Sequence, residues 1–529
     1  MKFVTIYAAS AALISSSSAT AIPNDFRARC SGLAREYRPA DRSVKVLVSE
    51  FMAKGTPFTN PDVHPTCSWT PPKVTVDLCR VRMNVTTSDT SNVYVEAFLP
   101  TEWKGKRFLM TGNGGLGGCT AYDSMMFGVE SGFATLGHNN GHLGDTAVPF
   151  LNRPEIVKDY SYRALLKAIS VGKDATSYLY KTDIRKSYYM GCSTGGRQGL
   201  KAAQQFPQEF DGIIVGAPAN NFNNLMSNQG HQYKIMGKPS DPTYLNDDQW
   251  KAVHDSIMKH CDGIDGVLDG VIEDTMKCIP RPEDLLCRPG QTWASDKCLT
   301  TTQVGAVRLM YEPFYGKNGT FLYNRLSPGS ETEAIRNITS QYIWDWMRYA
   351  IYGNPSFSPD DFSVDTADDA NRADPFGVST WEDLTKTKAA GTKVLQYHGL
   401  ADGAISPESS YRYYEHVSRS MGLPSVDLDK FYRYFPVPGL GHCGGGSGAW
   451  YIGNGMRFND QNPDRPLSQE GGVLTRMVKW VEEGVAPERL TGRSFKDNGK
   501  MVEKDHCKWP SQNFYKGGDP DLKESWGCK

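Results

Sequence analysis

Short apolar runs alternate with longer segments of helical periodicity in the first half of the chain. Residues 107–111, 187–190 and 211–215 are rich in aliphatic and aromatic side chains and have the length of buried strands. Residues 160–180 repeat apolar positions at helical spacing, and residues 196–206 also have the pattern of a helix. Strands that alternate with helices in this way are typical of an α/β fold with a mostly parallel sheet and helices on both faces.

The alternation is interrupted between residues 221 and 390. This stretch is irregular and contains four cysteines, many aspartates and scattered aromatic residues. The strand pattern resumes at 393–398 and again at 431–437. The interruption predicts a core formed by residues 22–220 and 391–529, with residues 221–390 inserted as a separate domain. Because long insertions with structure of their own are usually functional, we predict that this domain is a lid.

The N-terminal part of the core is expected to be less regular than the rest. Residues from about 22 to 90 contain three cysteines and several prolines, which favour an irregular segment held by disulfide bonds. Within and after this segment, residues 74–86, 93–99 and 132–137 are rich in β-branched and aromatic positions and are predicted to be strands.

Composition and charge narrow the class of protein. The chain has 529 residues, of which 39% are hydrophobic and 22% charged, as in ordinary globular proteins. The formal net charge is −1 and no basic block stands out. We therefore expect neither nucleic acid nor an anionic membrane to be a partner.

The first 21 residues predict a cleaved secretory signal. Lys2 is followed by an apolar stretch at 3–14, a serine run and the sequence Ala-Thr-Ala at 19–21. The apolar stretch is too short for a membrane anchor, which needs about 20 residues. We expect cleavage near Ala21 and an extracellular protein. The sequons at Asn84, Asn318 and Asn337 are consistent with glycosylation in the secretory pathway.

The twelve cysteines are an even set, and export to an oxidising compartment favours disulfide bonds. Zinc is the alternative use of such a set. No Cys-x-x-Cys pair occurs anywhere in the sequence, which disfavours zinc.

The sequence Gly-Cys-Ser-Thr-Gly at 191–195 lies between the strand at 187–190 and the helix at 196–206. In this context, Gly-x-Ser-x-Gly forms a sharp turn that lifts the serine hydroxyl above the sheet. The glycines let strand and helix approach without a Cβ clash. Ser193 is therefore a candidate nucleophile, although the bare motif also occurs by chance.

A serine nucleophile needs a histidine to accept its proton and a carboxylate to fix the tautomer of that histidine. In α/β-hydrolases the order along the chain is Ser, acid, His, each after a strand. Asp402 follows the strand at 393–398, and His442 follows the strand at 431–437. We predict that Ser193, Asp402 and His442 are the catalytic residues.

Other acids and histidines fit this order less well. The aspartates at 365–369 have no strand before them. His398 lies within a strand and is expected to be a packed, hydrogen-bonded side chain. His138 and His142 precede the serine, and they remain candidates for lining the site.

The glycine-rich sequence at 112–118 has three interpretations: a dinucleotide-binding loop, a plain flexible loop, or a loop whose backbone N–H groups stabilise an oxyanion. A dinucleotide site requires a helix directly after the glycines, whereas Cys119 and Tyr122 follow here, and a cytoplasmic cofactor suits a secreted protein poorly. We favour the oxyanion loop. The N–H of Thr194 and that of Gly114 or Gly115 would then hold the oxyanion.

Cys192 precedes the candidate nucleophile and Cys443 follows the candidate base. A disulfide bond between them would tie the two loops together and hold Ser193 and His442 at a fixed separation, as catalysis requires. The alternative is two buried free cysteines.

The sequence Cys-Asp-Gly-Ile-Asp-Gly-Val-Leu-Asp-Gly-Val at 261–271 places three aspartates within eight residues. Crowded carboxylates repel one another unless a cation joins them, and hard oxygen ligands suit calcium. The spacing differs from that of an EF-hand. A solvated acidic loop is the alternative, and the residues alone leave both open.

Three motifs resemble the tannase and feruloyl esterase family of fungi and bacteria: Gly-Cys-Ser-Thr-Gly-Gly-Arg-Gln at 191–198, His-Gly-Leu-Ala-Asp at 398–402 and Gly-His-Cys-Gly-Gly-Gly at 441–446. The resemblance extends from about Cys30 to the end of the chain. It implies an α/β-hydrolase core, a large lid over the site and hydrolysis of phenolic-acid esters. One departure is Asn139-Asn140, where relatives often have Thr-Asp.

The resemblance also carries expectations about bonds and metal ligands. It implies that Cys192 and Cys443 are bonded and that the acidic loop binds a structural calcium ion. The ligands would be the side chains of Asp262, Asp265 and Asp269 and the carbonyls of Val267 and Val271. The full set of expected disulfides is Cys192–Cys443, Cys30–Cys79, Cys67–Cys119, Cys261–Cys278, Cys287–Cys298 and Cys507–Cys528.

Together these observations predict a secreted serine esterase, and the family resemblance implies that it releases ferulic or related hydroxycinnamic acids from plant cell-wall polysaccharide esters. It would have no organic cofactor. A tannase, which hydrolyses galloyl esters, or another aromatic-ester hydrolase of the same family is the runner-up. An inactive hydrolase-fold protein that binds carbohydrate or phenolic compounds is the alternative from another class.

Overall fold

The computed structural model describes residues 24–67, 73–338, 341–455 and 470–529. The predicted signal segment at 1–21 lies outside these ranges. No helix in the described part of the chain is long and apolar enough to cross a bilayer.

A nine-stranded mixed sheet with strand order β1-β2-β3-β5-β4-β6-β7-β10-β11 forms the centre of the molecule. Within this sheet, neighbouring strands are antiparallel from β1 through β2 and β3 to β5, and parallel from β5 through β4, β6, β7 and β10 to β11. The strands of the chain are β1 Val44–Met52, β2 Leu78–Ser88, β3 Ser91–Pro100, β4 Arg107–Thr111, β5 Ala134–His138, β6 Lys186–Cys192, β7 Gly212–Gly216, β8 Phe314–Tyr315, β9 Phe321–Tyr323, β10 Lys393–Gly399, β11 Tyr432–Val437, β12 Arg489–Phe495, β13 Met501–Cys507, β14 Asn513–Tyr515 and β15 Trp526–Cys528.

Helices cover both faces of this sheet. Apolar residues of α1, α4, α5 and α14 form one core against the sheet, and residues of α2 and α16 form another with its opposite face. The helices are α1 Asn24–Glu36, α2 Tyr122–Glu130, α3 Pro154–Lys158, α4 Ala164–Tyr180, α5 Thr194–Gln205, α6 Phe222–Met236, α7 Asp247–Cys261, α8 Trp293–Asp296, α9 Thr301–Met310, α10 Glu331–Ile338, α11 Tyr342–Asp345, α12 Val364–Ala373, α13 Thr385–Ala390, α14 Glu408–Met421, α15 Ser425–Leu428 and α16 Val473–Glu483.

The N-terminal segment is more regular than its sequence suggests. It contains α1 and the edge strand β1, so the prediction of an irregular segment was wrong there. Phe26, Cys30 and Leu33 recur at helical spacing and are buried against the sheet. Several charged residues surround them and mask this periodicity. The strand predicted at 74–86 begins four residues later, at Leu78.

The segment between β7 and β10, where the sequence pattern places an inserted domain, is mainly helical and contains α6–α13 with the short pair β8 and β9. Residues of α7, α9 and α10 form an apolar core within this segment. A second apolar core joins α6, α11 and α12 to the loops after β4 and β5, through Leu116 and Phe150 among others. The insertion therefore packs directly against the carboxyl ends of the central strands.

Six disulfide bonds are present, and they join the pairs named in the sequence analysis: Cys30–Cys79, Cys67–Cys119, Cys192–Cys443, Cys261–Cys278, Cys287–Cys298 and Cys507–Cys528. None of the twelve cysteines is free.

Candidate active site

Ser193 occupies a strained turn between β6 and α5. Its backbone has φ 63° and ψ −123°, a conformation that residues other than glycine rarely adopt. The turn requires small neighbours, because a Cβ on Gly191 would lie 2.7 Å from the carbonyl oxygen of Gly195, and one on Gly196 would lie 2.3 Å from that of Gly216. The turn therefore presents the Ser193 hydroxyl above the carboxyl end of the sheet, as the motif predicts.

A continuous hydrogen-bonded chain links Ser193 to Asp402. Ser193 Oγ lies 3.0 Å from Nε2 of His442, and Nδ1 of His442 lies 2.8 Å from Oδ2 of Asp402. Because the carboxylate only accepts, the imidazole proton lies on Nδ1, and Nε2 is left to accept the proton of the serine hydroxyl. The residues that were predicted from their order along the chain thus make the required contacts: Ser193 lies within hydrogen-bonding distance of His442, and His442 within that of Asp402.

Asp402 is 1% exposed, and its side chain makes three further contacts. Its Oδ1 accepts hydrogen bonds of 2.8 Å from the backbone N–H groups of Ala404 and Ile405. Nε2 of His398 lies 3.2 Å from Asp402 Oδ2 and 3.0 Å from the Ile405 carbonyl oxygen, while its Nδ1 lies 2.7 Å from Ser410 Oγ. His398 is packed and hydrogen-bonded as expected, and it also orients the acid.

The electrostatics of this series of hydrogen-bonded side chains favour an ion pair between Asp402 and His442 once His442 is protonated. Burial lowers the pKa of His442, but the charge and hydrogen bond of Asp402 outweigh burial, and the pKa is raised above its ordinary value. Burial would raise the pKa of Asp402, yet His442 and His398 hold it well below the usual range. Asp402 is therefore ionised at any pH at which the protein would act.

The glycine-rich loop after β4 lies beside the serine. The Thr194 hydroxyl donates a 2.6 Å hydrogen bond to the carbonyl oxygen of Gly115, and Gln198 Oε1 accepts one of 3.0 Å from the Asn113 N–H. Thr194 is the first residue of α5, where a backbone N–H has no carbonyl within its own helix. Gly114, Gly115, Thr194 and Ser193 line the same cavity, an arrangement that suits an oxyanion site.

The cavity in front of Ser193 and His442 has a volume of about 1090 Å³, enough for a drug-sized ligand. Its lining combines apolar side chains from the insertion and the adjoining loops with polar ones from the N-terminal segment. The apolar part includes Leu116, Ala219, Phe222, Leu225, Met226 and Ile405. Asn60, His64 and Arg82 contribute to the polar part.

His138 and His142, which the sequence left as candidates for lining the site, are packed behind the glycine-rich loop. Burial lowers the pKa of His138 to about 3 and that of His142 to about 4, so both are neutral at ordinary pH. His142 Nε2 lies 2.8 Å from the carbonyl oxygen of Leu116. His138 is the last residue of β5 and His142 lies in the loop that follows it, and neither belongs to the described cavity lining.

The acidic loop of the insertion has features that suit a cation. Oδ2 of Asp265 is buried without a hydrogen-bond partner in the described protein. Burial is the largest cause of the raised pKa values of Asp265 and Asp269, and repulsion among the loop's aspartates adds to it. Lys504 of β13 supplies part of the opposite charge. The oxygen donors are of the kind that calcium prefers.

The present arrangement of this loop is not a closed metal site. Oδ1 of Asp262 accepts hydrogen bonds from the N–H groups of Asp269, Gly270 and Val271. Among the described residues, no group of three or more His, Cys, Asp or Glu side chains converges closely enough to hold a metal ion. Binding through Asp262, Asp265 and Asp269 therefore stays a prediction.

The sequons differ in accessibility. Asn318 is exposed in the turn between β8 and β9. Asn84 is half-buried in β2. The side chain of Asn337 and residue Thr339 lie outside what the structure describes.

Sequence reasoning missed Glu333, which lies on α10 of the insertion and contacts the loops that carry Asp402 and His442. Its carboxylate accepts a 3.0 Å hydrogen bond from the Gly403 N–H and 3.1 Å hydrogen bonds from the His442 N–H. It belongs to no motif and stands 109 positions from His442, so no local signal could have revealed it.

A mixed sheet of this strand order, with a serine turn at the carboxyl end of a central strand and helices on both faces, defines an α/β-hydrolase. A family model described as "Tannase and feruloyl esterase" matches residues 79–352 and 324–528. The chain therefore belongs to the tannase and feruloyl esterase family, and it is a carboxylic ester hydrolase.

Individual relatives support this assignment. The chain is 44% identical over 515 residues to a probable feruloyl esterase B-2 of Aspergillus fumigatus, covering 95% of this chain and 96% of the relative. The crystal structure of feruloyl esterase B from Aspergillus oryzae superposes with a TM-score of 0.90 at 41% identity, covering 95% of this chain and 100% of that one. The tannin acyl hydrolase from Aspergillus niger shares the fold, with a TM-score of 0.73 at 21% identity over 96% and 94% of the two chains.

Proposed function

We propose that this protein hydrolyses esters of ferulic and related hydroxycinnamic acids through an acyl-enzyme on Ser193. The observation that carries the proposal is the hydrogen-bonded chain from Ser193 through His442 to Asp402. His442 Nε2 takes the hydroxyl proton while Ser193 Oγ attacks the ester carbonyl carbon. Asp402 orients the imidazole and stabilises the imidazolium that forms.

The rest of the reaction follows from the same groups. The N–H of Thr194, with that of Gly114 or Gly115, holds the oxyanion of the tetrahedral intermediate. His442 then returns its proton to the leaving alcohol oxygen as the bond from that oxygen to the carbonyl carbon breaks. Water attacks the acyl-enzyme with His442 again as the base, which releases the free phenolic acid and restores Ser193.

Two observations favour a feruloyl over a galloyl substrate. The chain is 44% identical to a probable feruloyl esterase B-2, whereas its identity to the tannin acyl hydrolase is 21%. The cavity lining near the serine includes Leu116, Phe222 and Met226. A galloyl ring has three hydroxyl groups, and desolvating them against apolar side chains costs more than burying the single hydroxyl and methoxy group of a feruloyl ring.

Hydrolysis of methyl ferulate and methyl gallate under identical conditions tests the substrate class. We expect a higher kcat/KM for methyl ferulate, and loss of turnover of both esters in Ser193→Ala. A preference for the gallate ester would make the protein a tannase. A wild type that binds phenolic esters without turnover would instead support the inactive binding protein.

We further propose that the acidic loop binds a structural calcium ion through the side chains of Asp262, Asp265 and Asp269. The unpartnered, buried Oδ2 of Asp265 and the mutual repulsion of the aspartates support this proposal. The carbonyls of Val267 and Val271 would complete the ligand set. The loop is not part of the cavity lining, so the ion would stabilise the insertion rather than take part in the reaction.

We also propose that the protein is secreted and acts outside the cell on phenolic-acid esters of plant cell-wall polysaccharide. The six disulfide bonds support an oxidising compartment. The mature N-terminus of the secreted protein, read by mass spectrometry, should lie close to residue 22. An exposed glycan on Asn318 is expected in the same sample, whereas a protein that retains Met1 would contradict export by this signal.

A further inference from the structure

We propose that Glu333 of the insertion is a positioning residue of the ester hydrolase. Its carboxylate joins the backbone of the loop that carries Asp402 (the acid loop) to that of the loop that carries His442 (the base loop), and it adds a second negative charge near His442. The proposal rests on the catalytic roles proposed above for Asp402 and His442. The sequence motifs that indicate those two residues say nothing about Glu333.

The clamp consists of backbone hydrogen bonds that converge on one carboxylate. Oε2 of Glu333 accepts a hydrogen bond from the Gly403 N–H at 3.0 Å, and both carboxylate oxygens lie 3.1 Å from the backbone nitrogen of His442. Gly403 directly follows Asp402. The loops that carry Asp402 and His442 are therefore joined by the side-chain contact between these two residues, by the backbone hydrogen bond from the Ala401 N–H to the Leu440 carbonyl oxygen, and by Glu333.

The start of α10 packs closely against the loop that carries Asp402. A Cβ on Gly403 would lie 2.4 Å from the backbone nitrogen of Ala334 and 2.7 Å from the carbonyl oxygen of Ser330. Ser327 Oγ also donates a 2.7 Å hydrogen bond to the carbonyl oxygen of Leu400. The start of α10 is thus seated on the turn that presents Asp402, and Glu333 projects from it toward both loops.

The other charged groups of α10 face elsewhere. Glu331 accepts hydrogen bonds from the Tyr311 hydroxyl at 2.6 Å and the Gly329 N–H at 2.8 Å, and it lies 2.6 Å from His254 Nδ1. Arg336 contacts the carbonyl oxygen of Thr332 on the exposed side. Among the described charged groups, Asp402 and His442 have the largest effect on the Glu333 carboxyl.

Glu333 also contributes to the charge balance of the site. Burial and the charge of Asp402 raise the pKa of the Glu333 carboxyl, and the charge of His442 opposes this. In turn, after burial and Asp402, the negative charge of Glu333 is a further influence on the pKa of His442, which it raises. A carboxylate at this position therefore stabilises the imidazolium that forms while Ser193 attacks.

Glu333→Gln tests both parts of the role, because it removes the charge and one of the two acceptor oxygens. We expect kcat for a nitrophenyl ester to fall by about tenfold, the value of one well-placed hydrogen bond to a charged group, with little change in KM. We also expect the acid limb of kcat/KM to move to lower pH, by on the order of half a unit, since His442 loses a neighbouring negative charge. Glu333→Asp, which keeps the charge, should leave the acid limb near its wild-type position.

Glu331→Gln is the matched control. It makes the same change two residues away on the same helix, at a buried carboxylate that faces α7 rather than the catalytic loops. We expect it to lower the melting temperature without moving the acid limb. An equal displacement of the limb in Glu331→Gln, or an unchanged limb and kcat in folded Glu333→Gln, would overturn the proposal.

A second measurement does not depend on turnover. The pKa of His442, followed by NMR of ¹³C-labelled histidine in the Ser193→Ala background, should fall when Glu333 is replaced by Gln. If the protein proved to have no esterase activity, this titration would still report on the Glu333–His442 pair. Should Glu333→Gln fail to fold, the same titration in Glu333→Asp decides, and a fall in the pKa of His442 despite the retained charge would contradict the electrostatic role.

Discussion

Cys192 and Cys443 are joined by a disulfide bond that spans 251 positions of sequence, with their Cα atoms 6.0 Å apart. Cys192 directly precedes Ser193, and Cys443 directly follows His442. The bond therefore connects the backbone of the nucleophile turn to that of the base loop, next to the 3.0 Å contact between the two side chains.

Removal of this bond should impair catalysis more than a general loss of stability would explain. In the double variant Cys192→Ser/Cys443→Ser, we expect kcat to fall by at least tenfold, because the serine and the histidine lose their fixed separation. The chain-entropy estimate for a loop of this length is a stability loss of about 5 kcal/mol, as an upper figure. Steady-state kinetics well below the melting temperature separate the two effects.

Cys287→Ser/Cys298→Ser provides the control for that experiment. This pair closes a loop of 11 positions within the insertion and lies away from the described cavity lining. We expect it to lower the melting temperature while kcat stays close to that of the wild type. Equal loss of kcat in both double variants would mean that the Cys192–Cys443 bond has no special effect on the site.

The pH dependence of kcat/KM should reflect the raised pKa of His442. Protonated His442 cannot accept the proton of Ser193, so activity falls as the pH drops through the pKa of the histidine. Since Asp402 raises that pKa, the midpoint of the acid limb should lie above the ordinary histidine value of 6.5. Asp402→Asn should move the limb to lower pH and reduce kcat by about 10³–10⁴. A wild-type midpoint below 6.5 would contradict the electrostatics described here.

Gly196→Ala should distort the nucleophile turn. The added methyl group would lie 2.3 Å from the Gly216 carbonyl oxygen, a backbone atom that cannot move away without shifting β7. We expect a loss of about 1–3 kcal/mol in the free energy of unfolding, together with a lower kcat. Urea denaturation and steady-state kinetics measure the two effects.

Gly305→Ala gives the comparison for Gly196→Ala, because Gly305 also lies within a helix. Apart from its chain neighbours and the backbone of its own helix, no atom of the described residues lies within 4 Å of its Cβ position. Replacement of a helical glycine by alanine at an open site should stabilise the protein by about 0.5–1 kcal/mol. If both variants behaved alike, close packing at the start of α5 would not be what requires glycine there.

Removal of calcium should lower the melting temperature by a few degrees and leave kcat at low temperature nearly unchanged. A ligand that binds only the folded state at 100 times its Kd contributes about 2.7 kcal/mol, and chelation removes that contribution. Asp269→Asn should abolish the response to calcium, whereas Asp365→Asn, at an exposed position of α12, should preserve it. An identical melt with chelator and with added calcium would show that Lys504 and the backbone N–H groups suffice to hold the loop.

Much of the site could be predicted from the sequence because its signals are short or depend on chain order. The turn around Ser193 needs small residues at fixed offsets, and the strand periods before Asp402 and His442 place both at the carboxyl edge of one parallel sheet. The pairing of Cys192 with Cys443 was suggested by their positions beside the serine and the histidine. These features depend on local steric rules and on the topology of the sheet.

Tertiary structure alone decided the features that depend on packing between distant segments. Glu333 reaches His442 only because the apolar faces of the insertion bury themselves on the ends of the central strands, and no local pattern records that docking. The same holds for the cavity lining and for α1, whose apolar stripe becomes evident once Phe26 and Leu33 are seen against the sheet. Sequence periodicity indicates which face of a helix or strand is buried. Which other segment packs against that face depends on the close packing of the whole fold.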